Sequence, residues 1–182
     1  MLMRKTIKLL LVAPVLLLAV LSAPTATTTA GTNIASATGG GHYFLQGAFD
    51  VQFAFVAIQH ADGGFSGVFH HSTEDETGKI DFDARVTCLA VDKELGRAWI
   101  GGVIVANRST SPNFQAEIHQ PGHDIWFRVL DGGKGKDNQE SRTTFVGFEG
   151  IIPSSAAYCA SRPWPDGNAR TWPVIEGTVT VH

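Results

Sequence analysis

The run from Ile80 to Val105, IDFDARVTCLAVDKELGRAWIGGVIV, constrains the fold more than any other stretch. Ile80, Phe82, Ala84, Val86, Cys88 and Ala90 alternate with Asp81, Asp83, Arg85 and Thr87. Alternation with period two predicts a pleated strand with one buried face, because a helix would group its apolar positions at steps of three and four. From Val86 to Val91 both faces are apolar, which predicts cover on both sides. Asp92 to Gly96 then reads as a tight turn, with Gly96 free to take positive φ. Arg97 to Asn107 returns as a second strand rich in Trp, Ile and Val. The pair Gly101-Gly102 weakens that strand unless something passes close to it. A bulge, a barrel corner or a ligand would each need the space, and the bulge is the reading adopted.

The same signals continue along the chain. Phe49 to His60 places Val51, Phe53, Phe55 and Ala57 on one face, and Ala61-Asp62-Gly63-Gly64 turns it into Phe65 to Ser72. Thr73 to Lys79 is a polar link. His42 to Gln46 is expected as the first strand of the domain. Phe114 to His119 is expected as a short strand inside a Pro-containing loop. Asp124 to Asp131 alternates cleanly, and Thr143 to Phe148 and Gly177 to Val181 complete the set. Pro153 to Pro173 reads as irregular chain. About eight strands in about 140 residues, with no convincing helical stretch, predict an all-β fold. The expected form is an antiparallel meander closing into a barrel of about eight strands, with a β-sandwich as the alternative. Closure would pair the first strand with Gly177 to Val181 and so protect the apolar edges.

Arg4, Lys5 and Lys8 precede an apolar run from Leu9 to Leu21 and small residues at Ser22, Ala23 and Ala26. This is the layout of a signal peptide over residues 1–30, cleaved between about Ala23 and Ala30. Residues 31–41 read as a disordered linker and 42–182 as a single β-barrel domain. The run is short for a spanning helix, so no membrane span is expected in the mature chain. Removing residues 1–30 takes away those three cations and no acid, which lowers the formal charge from −3 to −6. A chain this acidic is a poor partner for nucleic acid or anionic lipid. An exported chain meets an oxidising compartment, so Cys88 and Cys159 are expected to form a disulfide, two separate buried thiols being the alternative. The expected location is secreted or extracellular.

Several segments together carry a resemblance: Gly39-Gly40-Gly41 before an aromatic strand, Ala61 to Gly64, Val86 to Leu89, Ala98 to Gly102, Trp126 to Gly133, and Tyr158-Cys159-Ala160-Ser161. Over most of the mature chain the sequence resembles small exported bacterial β-rich proteins of unassigned function. The resemblance implies a secreted β domain and the pairing of the two cysteines. It implies no activity and no catalytic residues. The general shape is also similar to lipocalin-like and allene-oxide-cyclase-like barrels, by fold analogy alone.

For chemistry, the aromatic strand residues come first. Phe53, Phe55, Phe69, Phe82, Trp99, Trp126 and Phe127 either fill the barrel or line an apolar ligand pocket. Trp164 and Trp172, in the irregular segment, either cap a barrel end or form a contact surface for sugar stacking or a protein partner. Gly132-Gly133-Lys134-Gly135-Lys136-Asp137 fits the GGxGxD calcium turn, with Asp131 and Asp137 as candidate ligands. Against it stand the single copy, Gln139 at the hydrophobic position, and two lysines inside the loop. His70 and His71 point to opposite faces of one strand and cannot share a metal by themselves. His119 and His123 flank a Pro-Gly turn and are open to meeting one of them. Asp81 and Asp83 lie about 7 Å apart on one strand face, a separation open to glycoside hydrolysis but read as a solvated face. No nucleophile elbow and no phosphate loop is present, and no cofactor is expected. Asn107-Arg108-Ser109 matches a glycosylation triplet. The function expected from these features is an exported non-catalytic β-barrel that binds a small apolar ligand or serves as an extracellular interaction module. The alternatives are a barrel enzyme acting on an apolar or carbohydrate substrate, and a structural cell-surface or matrix protein; the expected partner is a small apolar ligand or a cell-surface component.

Overall fold

A computed structural model describes residues 33–133 and 140–182. The expected signal peptide lies outside the described residues. The long strands are β1 (Asn33–Leu45), β2 (Phe49–His60), β3 (Phe65–Asp75), β4 (Gly78–Asp92), β5 (Arg97–Asn107) and β6 (Asp124–Leu130). The shorter segments are β7 (Arg142–Thr143), β8 (Gly147–Phe148), β9 (Trp172–Pro173) and β10 (Ile175–Val181), with one helix, α1 (Ser155–Ser161).

All strands join one antiparallel sheet in the order β10-β1-β2-β3-β4-β5-β6-β7-β9, with β8 also on β6. β7 and β8 lie on the same edge of β6, and β9 runs through Val174 into β10, so the segments make eight staves. The result is the expected nearly closed barrel, shut by β10 against β1, where Thr38 faces Thr180 and Gly40 faces Thr178.

The linker expected at 31–41 is corrected by this pairing, because its described part, from Asn33, is strand. Its Thr, Ala, Ser and Gly composition lacks a core signal, but β2 and β10 hydrogen-bond to both of its edges. The small residues serve close packing: a Cβ on Gly39 would lie 2.6 Å from the Thr178 carbonyl oxygen and 2.8 Å from the Phe55 ring. The short strand expected at Phe114 to His119 is also corrected. Two 3-10 turns, Pro112–Phe114 and Glu117–His119, stand there. Pro112 denies the first of them a strand donor. The Asn107 amide donates to the carbonyls of Phe114 and His119 at 2.9 Å each, so the glycosylation triplet serves as a loop tie.

The interior is filled by side chains. Phe127 stands 5.2 Å from Phe55 and 4.9 Å from Phe69, ring centre to ring centre. Val51, Phe53, Ala84, Val86, Ile100, Ile104 and Val129 complete the packing. Each large side chain removed from water here contributes about 1.5–3 kcal/mol. At one end Phe82, Phe114, His119 and Phe148 form an aromatic plug.

The central hairpin departs from simple alternation. Val86 pairs with Gly102 and Cys88 with Gly101, so Thr87 is an extra residue. This bulge reverses the facing of the residues beyond it. Val86 and Leu89 face the barrel, whereas Cys88 and Ala90, expected on that same face, turn outward. The outward Cys88 meets Cys159 of α1 in a disulfide with 6.2 Å between Cα atoms. Gly101 makes the approach possible, since a Cβ there would lie 2.6 Å from the Cys88 sulfur and 2.7 Å from the Ser155 Cβ. Ser154 caps α1 through its hydroxyl, which accepts from the Ala157 N–H at 3.1 Å. The outer cover predicted for Val86 to Val91 is this helix. The pattern of residues does not reveal it, because seven residues hold only two turns, too few for a 3.6-residue stripe to show.

The packing sets two expected outcomes. The disulfide spans 71 residues, so replacing both cysteines with serine should lower stability by about 4 kcal/mol, measured by denaturant unfolding under non-reducing conditions. The second concerns His71, which is buried among Phe53, Phe69 and Phe127 with neither ring nitrogen hydrogen-bonded. Burial, reinforced by the nearby His70, lowers its pKa from 6.5 to about 3. The unfolded chain therefore binds the extra proton first, and stability should fall as pH drops from about 6.5 toward 3. His119 adds to the slope with the same sign, through burial. Melting temperature against pH should be flatter for His71→Phe than for the parent protein between about pH 6.5 and 4.5. An identical slope in both would contradict the assignment.

Candidate functional site

The aromatic residues grouped by sequence divide between two faces. Phe53, Phe55, Phe69, Phe82 and Phe127 are in the barrel interior, whereas Trp99 and Trp126 lie on the outer face of β5 and β6 with Tyr158. The seven therefore do not line one pocket. Trp126 stacks on Tyr158 of α1, with centroids 5.4 Å apart and planes at 18°.

Trp126 belongs instead to a cleft at the barrel's seam. On one side run Thr144 to Gly147, where the sheet is interrupted between β7 and β8. The interruption is ordered: the Thr144 hydroxyl accepts from the Arg128 N–H at 3.0 Å, and the Thr144 N–H donates to the Arg128 carbonyl at 2.9 Å. On the other side are Trp164, Arg170 and Trp172, with the Trp126–Tyr158 stack between. The cavity volume is about 220 Å³. Trp172 is fixed from behind by stacking on buried Tyr43, whose hydroxyl donates to the Thr144 carbonyl at 3.3 Å. Trp164 remains 39% exposed.

The segment 162–171 is held down by cations. Arg97 and Arg128 are almost fully buried on the outer face of the sheet. The Arg128 guanidinium donates to the carbonyls of Pro163, Trp164 and Ala169, and that of Arg97 donates to the Gly167 carbonyl at 2.6 Å. The Trp99 indole N–H donates to the Pro163 carbonyl at 2.9 Å. Burial lowers both guanidinium pKa values from their ordinary value. Three non-glycine residues of this strap, Arg162, Trp164 and Arg170, have φ of 45°, 54° and 59°. Left-handed backbone at such residues costs on the order of 1 kcal/mol each, and it concentrates where a structure positions side chains for a task. Arg170 lies over the Trp164 ring at 4.8 Å, with Arg128 at 5.9 Å.

The nine lining residues include no Asp, Glu, His or Cys. Burial raises the Tyr158 hydroxyl pKa, so Tyr158 stays protonated at neutral pH. Aromatic faces, backbone edges and a cation are the chemistry available, which suits recognition rather than proton transfer.

The other expected sites resolve differently. Ligand atoms of His70, Asp81 and Asp83 lie within 4.8 Å of one another. Two cations already answer the carboxylates: Lys79 reaches Asp81 at 2.5 Å, and Arg108 bridges Asp81 and Asp83 at 2.9 and 2.7 Å. Asp81, read as solvated, is in fact buried. Burial alone would raise its pKa, but bonds from Lys79 and Arg108 outweigh that and lower it. These carboxylates latch β4 to the loop after β5. For calcium, Asp137 lies outside the described residues. The Asp131 carboxylate accepts from the N–H groups of Gly133 and Val181 at 2.9 and 3.0 Å, closing the barrel. His123 pairs with Glu149 at 3.3 Å and His119 joins the aromatic plug.

Among the described residues no helix is long and apolar enough to cross a membrane. Comparison with family models, with curated proteins and with solved structures finds no match to this chain.

The strap's attachment can be tested by itself. Replacing Arg128 with Met should leave the strap carbonyls without their donors and cost about 2–4 kcal/mol. Limited proteolysis should then cut within residues 162–171 well before the barrel unfolds.

Proposed function

We propose that this protein is an exported, non-catalytic binding module that holds one ring of a small ligand in the seam cleft. The observation that carries the reading is the convergence of Trp126, Trp164 and Trp172 with Tyr158 on a cavity of about 220 Å³. That volume lies below the roughly 300–1,000 Å³ of drug-sized pockets, so one sugar or aromatic ring is the fitting size. Tryptophan supplies large, stiff apolar faces at a small entropy cost, and such faces suit both ring classes. The strained strap backbone and the buried arginines that hold it are consistent with a pre-organised site. The acid-free lining favours binding over acid–base catalysis. Export is supported by the basic-then-apolar layout of residues 4–21, and the disulfide is compatible with an oxidising compartment. This reading moves the ligand from the barrel interior to its outer wall.

The test is tryptophan fluorescence titration with a panel of mono- and disaccharides and simple aromatic compounds. At least one should perturb emission saturably. Trp164→Ala should weaken that binding about 5- to 30-fold while leaving the circular dichroism spectrum unchanged. Unaltered affinity in Trp164→Ala would remove the cleft as the site.

A further inference from the structure

The cleft carries a charge opposite in sign to that of the chain. The protein is acidic, with a formal net charge of −3. Yet Arg97, Arg128, Arg162 and Arg170 gather on the face covered by α1 and the strap, over Trp99 and Trp164 or against backbone carbonyls. None of the ion pairs among the described residues involves any of these four. Carbonyl oxygens accept from the terminal N–H groups of Arg97 and Arg128 without cancelling their charge, and the Nε of each is buried with no partner. No carboxylate acts on Arg128, whereas Arg97 lies in the field of Asp166 and Asp92. A low-dielectric aromatic wall beside Arg128 and Arg170 focuses positive potential into the opening.

Arg170 is the group placed to use that potential. It is exposed, it lines the cleft, and its guanidinium lies over the Trp164 ring at 4.8 Å. Cation–π attraction holds this guanidinium over the ring, and no hydrogen bond among the described residues engages its N–H edges. Those edges form the fork that accepts a carboxylate through two parallel hydrogen bonds. Stacking also restricts the side chain before any ligand arrives, which reduces the entropy lost on binding.

Resting on the binding function proposed above, we infer that the seam cleft selects ring ligands that carry a carboxylate, with the ring against the tryptophan faces and the carboxylate on Arg170. Two sources share that chemistry, a uronic-acid sugar and an aromatic acid.

Isothermal titration calorimetry of the purified mature chain with two matched pairs tests the inference: trigalacturonate against its methyl ester, and indole-3-acetate against indole. In at least one pair the acid should bind about tenfold more tightly than its neutral partner. The pair that shows the preference identifies the source. In about 0.5 M salt the preference should shrink. In Arg170→Gln it should fall to within about threefold, and Arg170→Glu should reverse it. Because Arg170 is exposed, both variants should retain the parent's melting temperature. A neutral partner that binds as tightly as its acid, or a preference that survives in Arg170→Gln, overturns the inference and leaves the binding function standing. If no member of either pair binds, and the wider fluorescence panel also fails, the binding function falls and this inference with it.

Discussion

Two buried guanidinium groups that donate to backbone carbonyls organise the outer layer of this protein. Arg97 and Arg128 project from the same face of β5 and β6 that carries Trp99 and Trp126. A buried cation left without acceptors would cost several kcal/mol. The strap answers with the carbonyls of residues 163, 164, 167 and 169. Irregular backbone and buried charge thus supply one another's acceptors and terminal donors, leaving only the two Nε atoms without a partner. Chain that would otherwise lie loose over the sheet is ordered, and Trp164 and Arg170 are held at the cleft.

The disulfide and the bulge act at the other end of that layer. Thr87, inserted opposite the glycine pair, turns Cys88 away from the barrel. Gly101 leaves room for the sulfur and for the first turn of α1. The helix then brings Tyr158 flat onto Trp126. Without the extra residue, Cys88 would point into the aromatic core and the bridge to Cys159 could not form. The strap continues directly from α1 and returns to the barrel as β9, so it is fixed at both ends as well as clamped in the middle.

The interior has a different character. Phenylalanine rings from β2, β3, β4 and β6 fill it, and His71 sits among them with no hydrogen-bonding partner. An imidazole held neutral by burial in such surroundings has no second polar group to exchange a proton with, which distinguishes it from a catalytic histidine. The carboxylates of Asp81 and Asp83, satisfied by Lys79 and Arg108, are likewise part of the frame. The cleft differs from both in combining exposed aromatic area with Arg170, a cation in no ion pair among the described residues.

Period-two patterning was enough to locate the long strands β2 to β6, because which side of a strand is buried is written in its own residues. Phe49 to His60 and Arg97 to Asn107 coincide with β2 and β5, and the closing pair and the cysteine bridge were legible from the need to cover apolar strand edges and from cysteine parity. Other features were not. Gly39 to Gly41 is strand because two neighbours pair with it, which composition does not record. Cys88 faces outward because one extra residue shifts the phase of a strand, and a phase is defined only against a partner. The site itself depends on residues 126, 144–147, 158, 164, 170 and 172 meeting across the seam. Trp164 and Trp172 were visible as a contact surface, but their partners come from a sheet edge and a helix elsewhere in the chain. Local sequence specifies local conformation; which distant faces meet is settled only when the barrel closes and the outer layer docks on it.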